Sequence, residues 1–294
     1  MWQQPVYMWR LRSKLSHINF EPQAMTIFLR KLLTLGILIT ALAAMQAQAA
    51  SDDNPQDQME QAATRGGSSW MVGGGMAIAN RGYIGYSREI TPFPLIFYHH
   101  GRFFFAGARV GYMASNGRHY RLSFNIKPRF NRLHASDSPQ LAGIQTRKWS
   151  LDGGVKLDTF GRWGRLSTEL SHDLLNRNDG TELSLGYRYS IPIGEWKLTP
   201  GLGMRWQSAS LTNYYFGVST AEAIPGRPAY EPGAATSPYV SLGLSTRLGT
   251  HWRFISNLQY TRYPSAIHDS PLIDRSGSSM LFIGFLYQIG SGSR

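Results

Sequence analysis

The stretch Tyr120–Phe130, YRLSFNIKPRF, decides how the rest of this chain is read. Tyr120, Leu122, Phe124, Ile126 and Phe130 occupy even positions, with Pro128 among them; Arg121, Ser123, Asn125, Lys127 and Arg129 occupy the odd ones. Successive side chains of a strand point to opposite faces, so this is a ribbon with one apolar and one charged side. Its length suits a tilted strand crossing a bilayer, which needs about 9–11 residues. A half-buried strand of a soluble protein alternates in the same way, so the reading turns on repetition.

The pattern does repeat. Trp149, Leu151, Val155 and Leu157 alternate with Ser150, Asp152, Lys156 and Asp158. Similar ribbons run over Glu182–Ile191, Tyr239–Leu248 and Trp252–Thr261. Weaker ones lie at Trp70–Ala79, Leu95–His99, Phe103–Met113, Arg165–Leu174, Leu198–Gln207 and Ser279–Ile289. The spacing of the breaks is informative, because outer-membrane barrels alternate short periplasmic turns with longer external loops. Counted back from the last strand, short turns fall near Gly249-Thr250, Gly194-Glu195, Phe160–Gly164 and Ser115–Arg118. Outer connections fall at Pro264–Ser278, Ser210–Pro238, Asn176–Gly180 and Asn131–Arg147, three of them long. The expected fold is all-β, a closed antiparallel transmembrane β-barrel over 69–289. Eleven segments would leave the chain ends on opposite sides, and bacterial barrels have even strand numbers. Twelve strands are expected, with Gly82–Ser87 as the extra one; ten is the alternative, with Leu95–His99 given to a loop.

The N-terminal part carries an export signal. Within 25–49, Arg30 and Lys31 precede an apolar run, Leu32–Met45, and Ala47-Gln48-Ala49 offers a small-residue cleavage site. The apolar run is shorter than the roughly 20 residues of a spanning helix. Residues 1–24 read as an upstream extension, with translation expected to begin at Met25. Residues 50–68, acidic and rich in Gln, Ser and Gly, read as a flexible periplasmic lead-in, and 290–294 as a short tail. Export implies the Gram-negative outer membrane, with its lipid and lipopolysaccharide as surroundings.

Composition narrows the chemistry. The 294 residues contain no cysteine, which removes disulfides and thiolate metal sites. The formal charge of +12 can face lipid phosphates or anionic murein. No nucleic-acid module accompanies it. The charges expected to point inward are Arg109, Arg121, Lys127, Arg129, Lys156, Arg165, Arg188, Arg205, Arg247 and Arg253, against Asp152, Asp158, Glu169, Asp173 and Glu182. They read either as a ladder of salt bridges filling a narrow lumen or as the lining of an anion-preferring pore. No catalytic constellation or cofactor site emerges. Ser171 and His172 are adjacent on one strand and face apart, which denies them the hydrogen-bond reach of a nucleophile and its base. His99 and His100 face apart for the same reason, so one metal ion would not easily take both.

Three stretches resemble the MipA/OmpV family of outer-membrane proteins. The first holds Tyr83, Gly85, Pro94, Leu95, Ile96, Tyr98 and Phe104. The second holds Tyr214, Tyr215, Gly217, Val218, Glu222, Ala223, Pro228, Tyr230 and Gly233. The third is Asp269-Ser270-Pro271-Leu272. Gly284, Tyr287 and Ile289 keep the spacing of the terminal signal read by the barrel-assembly machinery, with Ile289 in place of the usual aromatic. The resemblance implies a non-enzymatic scaffold that holds a lytic transglycosylase near a murein synthase. The short turns and the lead-in are the surfaces expected to meet such partners. A small-solute channel and a surface adhesin using the long loops are the alternatives.

Overall fold

The computed structural model describes residues 68–292, Ser87 excepted. Thirteen strands follow one another: β1 (Ser68–Asn80), β2 (Glu89–His100), β3 (Phe103–Ala106), β4 (Arg109–Asn116), β5 (Tyr120–Arg129), β6 (Ser150–Gly161), β7 (Gly164–Asp173), β8 (Thr181–Arg188), β9 (Ile191–Ile193), β10 (Trp196–Gln207), β11 (Ala235–Leu248), β12 (Trp252–Arg262) and β13 (Gly277–Gly292). Neighbours pair antiparallel around a closed ring, which β1 completes by pairing with β13. The short β9 pairs with β10 directly below β8, so the two share one place in the wall. The barrel therefore has twelve wall positions.

The expected number is right, but the extra strand lies elsewhere. Residues 82–86 form a turn, and its strand-like pairing is limited to an isolated bridge, Tyr83 to Ile273. The added crossing comes from splitting the Phe103–Met113 ribbon at Gly107-Ala108 into β3 and β4. Gly107 sits at φ 63°, a left-handed conformation that costs glycine little. Alternation continues almost unbroken through such a tight turn, so hydropathy alone could not see the reversal. β1 starts at Ser68 and β13 runs on to Gly292, into the segment read as a tail.

Both faces follow from the alternation. Phe124, Ile126, Val155, Leu170, Leu202, Val240 and Phe285 point outward and are exposed to lipid. Trp163, Trp196 and Trp252 stand at the end carrying the short turns, and Trp149 and Trp206 at the other, as the aromatic girdles of a membrane barrel do. The interior is divided. Beside β1, β2 and β13 it is apolar, with Met71, Leu95, Phe97, Phe104, Met113 and Leu286 buried together. Beside β5 to β10 it is ionic.

Above the wall the long connections are not free loops. Helix α1 (Ala209–Phe216) lies in the 208–234 connection, and a single turn, α2 (Ser265–His268), lies in the last one. The all-β expectation did not include these two helices. α1 is short and capped by Ser208, whose hydroxyl accepts from the Leu211 N–H at 3.4 Å, and it draws its stability from tertiary burial of Leu211, Tyr215 and Phe216.

Candidate functional site

Three regions hold the residues singled out by sequence: the cap over the outer mouth, the lumen, and the rim of short turns.

The cap has a hydrophobic core of its own. Tyr83, Leu133, Leu141, Ile144, Leu211, Tyr215, Phe216, Val218, Ile267, Leu272 and Ile273 are buried together, contributed by all four large outer connections. Main-chain groups in such a core need partners. Side chains supply them: the Tyr83 hydroxyl donates to the Tyr215 carbonyl at 3.2 Å, Ser270 to the Phe216 carbonyl at 2.6 Å, and Tyr230 to the Ala266 carbonyl at 3.0 Å. Burial pushes the Tyr83 and Tyr215 hydroxyls up, the latter to about 12, so both remain donors at any physiological pH.

At the centre of the cap lies Glu222, 3 % exposed. Arg147 grips it through both guanidinium ends, at 2.8 Å and 3.0 Å. The backbone N–H groups of Gln145 and Ser219 and the Ser219 hydroxyl also donate to it, at 2.7, 2.9 and 2.9 Å. Burial alone would raise this carboxyl; the Arg147 hydrogen bond and the N–H donors overcome that and hold it down at about 2. Arg147 further donates to the Gly217 carbonyl, and Arg227 to the carbonyls of Gln140, Ala142 and Glu222. The two arginines thus tie the 131–147 connection to the 208–234 connection.

Most of the second family stretch belongs to this joint. Tyr214 accepts from the Lys148 N–H at 2.8 Å, and Val218 and Tyr230 bridge each other through two 2.9 Å hydrogen bonds. Gly233 receives the Thr212 hydroxyl and donates its N–H to Asn213. Ala223 is half-buried and Pro228 exposed. The first stretch does not come together. Tyr83 enters the cap core and Gly85 turns the chain at φ 64°, whereas Leu95 and Phe104 join the apolar cluster inside the wall. Pro94, Ile96 and Tyr98 face outward on β2, with Tyr98 against Trp70 at 4.0 Å between ring centres. Of the third stretch, Ser270 and Leu272 are cap residues. Arg147 and Arg227 were not singled out by sequence. The available signal was the apolar set Leu133, Leu141 and Ile144 in a segment too irregular for a strand, which implies a loop with a core.

In the lumen the inward charges find one another. Glu169 takes Arg109 at 3.0 Å and Lys127 at 2.7 Å; Arg129 bridges Asp152 at 2.6 Å and Glu182 at 2.9 Å. Arg205 reaches Glu182 at 3.5 Å, and Asp158 takes Lys156 at 3.1 Å and Arg165 at 2.8 Å. Arg121 lies over the Phe160 ring at 4.5 Å. Arg188 and Arg247 are exposed towards the short-turn end, and Arg253 is buried there. The salt-bridge reading of the inward set is the one this network fits. Because burial makes an orphaned charge costly, Glu169→Ala should destabilise the barrel by about 3–5 kcal/mol by stranding Arg109 and Lys127. A lowered unfolding temperature in detergent, with Glu231→Ala (exposed) as the neutral control, checks this.

Ser171 faces the lumen, while His172 faces outward and pairs with Thr181 at 3.0 Å. His99 is buried inside with Nε2 at 2.6 Å from the Gly101 carbonyl oxygen, and His100 is exposed. Gly284 lies inward beneath Leu95, where a side chain would collide with the Leu95 methyl group. Tyr287 and Ile289 face outward, and Tyr287 packs against Trp252.

The family model described as MltA-interacting protein MipA matches residues 72–289. The chain belongs to the MipA family. It is 29 % identical over 220 residues to the MltA-interacting protein of Escherichia coli K12, covering 74 % of this chain and 89 % of that one. Outer membrane protein OmpV of Vibrio cholerae is 35 % identical over 132 residues, 45 % of this chain and 51 % of OmpV. Among solved structures, the COG4313 outer membrane channel from Pseudomonas putida F1 is similar with a TM-score of 0.41 and 11 % identity, covering 76 % of this chain and 96 % of the channel. Together with the closed strand ring, membership of the MipA family makes this chain a β-barrel of the Gram-negative outer membrane.

The third region is the rim of short turns, the periplasmic end of such a barrel. The turns lie at residues 101–102, 117–119, 162–163, 194–195 and 249–251. Arg102, Arg118, His119, Arg162 and His251 are exposed on them, with Glu195 as their one acidic residue.

Proposed function

We infer that this MipA-family barrel is a non-enzymatic anchor that holds murein-remodelling enzymes, a lytic transglycosylase and a murein synthase among them, at the inner face of the outer membrane. The observation that carries the reading is the contrast between the two ends. The outer end carries a cap whose buried charged groups, Glu222, Arg147 and Arg227, are spent on one another and on its main chain. Among the described residues, the inner end presents exposed arginines on its turns with Glu195 as the one acidic turn residue, suited to an acidic partner surface or to murein itself. The relative named MltA-interacting protein supports the same reading. The channel alternative is less favoured, because the lumen cations that could draw anions are held by Asp152, Asp158, Glu169 and Glu182.

The test is binding of a purified lytic transglycosylase to the detergent-solubilised barrel, with a murein synthase added second. Reversing Arg102, Arg118 and Arg162 together to Glu should weaken binding by at least about tenfold, with a steep salt dependence in the unsubstituted protein. Unchanged affinity in the triple variant would remove the rim from the proposal. No binding by the unsubstituted barrel would remove the anchor reading itself.

A further inference from the structure

The wall has a window. β3 and β4 stop at Ala106 and Arg109, so they pair only with the lower part of β2 and of β5. On β2, Glu89–Leu95 pairs with β1 and has no strand on its other side; on β5, Lys127–Arg129 pairs with β6 alone. Two missing strands leave three inter-strand spacings, about 14 Å, between the two edges. The opening is framed above by a charged arch. Glu89 at the top of β2 pairs with Arg132 at 2.9 Å and Arg81 at 3.2 Å, and Arg81 donates to the Phe130 carbonyl at 3.1 Å. Below, the Gly107-Ala108 turn forms the sill.

An unpaired strand edge normally invites another strand. Here Pro92 and Pro94 on one edge and Pro128 on the other lack the N–H groups such pairing needs. The β2 edge is apolar on its outer face, where Ile90 and Ile96 are exposed, while on the β5 edge Lys127 and Arg129 turn inward to Glu169, Asp152 and Glu182. Behind the β2 edge the interior is apolar, with Phe93 stacked on Phe282 at 5.5 Å between ring centres and both against the buried cluster. β1 shows the opening only Ala77 and Ala79, β2 shows Thr91 and Phe93, and β13 shows Phe282 and Met280. Met280 points inward yet is 42 % exposed, so space stands beside it. At the arch, on the side of the outer connections, Arg81, Arg88 and Arg132 outnumber Glu89 and Asp137, a rim of net positive charge.

We propose that this window admits an acyl chain of a phosphate-bearing lipid from the outer leaflet, its headgroup at the arginine arch and its chain against Phe93, Met280 and Phe282. With the cap covering the outer mouth, the window is the lateral route between the leaflet and the apolar half of the lumen. This inference does not rest on the anchor reading and can stand or fall without it.

The test uses the full barrel in phosphatidylglycerol nanodiscs doped with phosphatidylglycerol carrying a diazirine in mid-chain. After irradiation, adducts are mapped by peptide mass. The expected result is labelling of inward-facing Phe93, Met280 and Phe282 alongside the outward residues. Phe93→Arg should reduce the inward labels by at least about tenfold, the effect of placing a charge where a chain packs, and leave labels at Leu202 and Val240 unchanged. Thr91→Trp fills the same space without a charge and should give the same loss. Labels confined to outward-facing residues in the unsubstituted protein would overturn the proposal. So would disulfide-linked dimers of Ile90→Cys, in a chain with no cysteine of its own, since they would assign the edge to a second copy.

Discussion

Replacing Glu222 by Ala should open the cap while leaving the barrel wall closed. Arg147 would then be buried, 7 % exposed, with its carboxylate gone, and an uncompensated buried charge costs about 3–5 kcal/mol. The loss is local, because the wall strands are held by their own ladders. Limited proteolysis should therefore cut within the 131–147 and 208–234 connections of the variant and spare them in the parent, while the heat-resistant compact form on gels persists. Arg147→Ala should do the same, and the double variant should cost less than the sum of the two, since it removes the stranded charge. Intact connections in Glu222→Ala would show that the hydrophobic core alone closes the cap. Acid should mimic the substitution. The Glu222 carboxyl lies at about 2 in the folded cap against an ordinary 4.5, so its contribution is whole above pH ~4.5 and fades as pH falls towards 2. Protease sensitivity of the two connections, probed with an acid-active protease, should rise across that window in the parent and stay flat in Glu222→Ala.

Gly73→Ala should impair closure of the barrel, and Gly74→Ala should not. β1 and β13, the first and last strands, form the seam that closes the ring. At Gly73 a methyl group would run into the Phe285 carbonyl oxygen of the partner strand, a backbone atom that cannot move without disturbing the seam. Overpacking typically costs about 1–3 kcal/mol where side chains can yield, and here the obstacle is main chain, so the upper end or more is expected. The neighbouring Gly74 faces outward, and a methyl group there meets nothing within 4 Å. The measurement is the fraction of heat-modifiable, folded barrel after refolding into detergent. Equal yields from both variants would mean that the seam relaxes.

The divided lumen and the window give the two inner faces separate tasks. The ionic side stiffens the long strands β5 to β8 through pairs that cross from strand to strand. The apolar side is packed at its lower end and open beside the window.

Much of this architecture was legible in residues 120–130 and their echoes, because the face a strand side chain takes depends only on parity. A barrel must put one parity to lipid and the other inward, so membrane location, the inward identity of Glu169 or Arg129, and the separation of Ser171 from His172 all follow from local sequence. Turn polarity and loop length likewise set which end faces the periplasm. Parity is blind, however, to a reversal that keeps the pattern, and so the split at Gly107-Ala108 was misplaced to 82–87. It is equally blind to which inward charges meet, since shear carries each side chain across several strands before it finds a partner. The cap was hidden for a deeper reason. Its core takes Leu133, Leu211, Ile267 and Tyr83 from four connections far apart in sequence, and no local period marks residues that become neighbours only once the barrel brings its outer ends together.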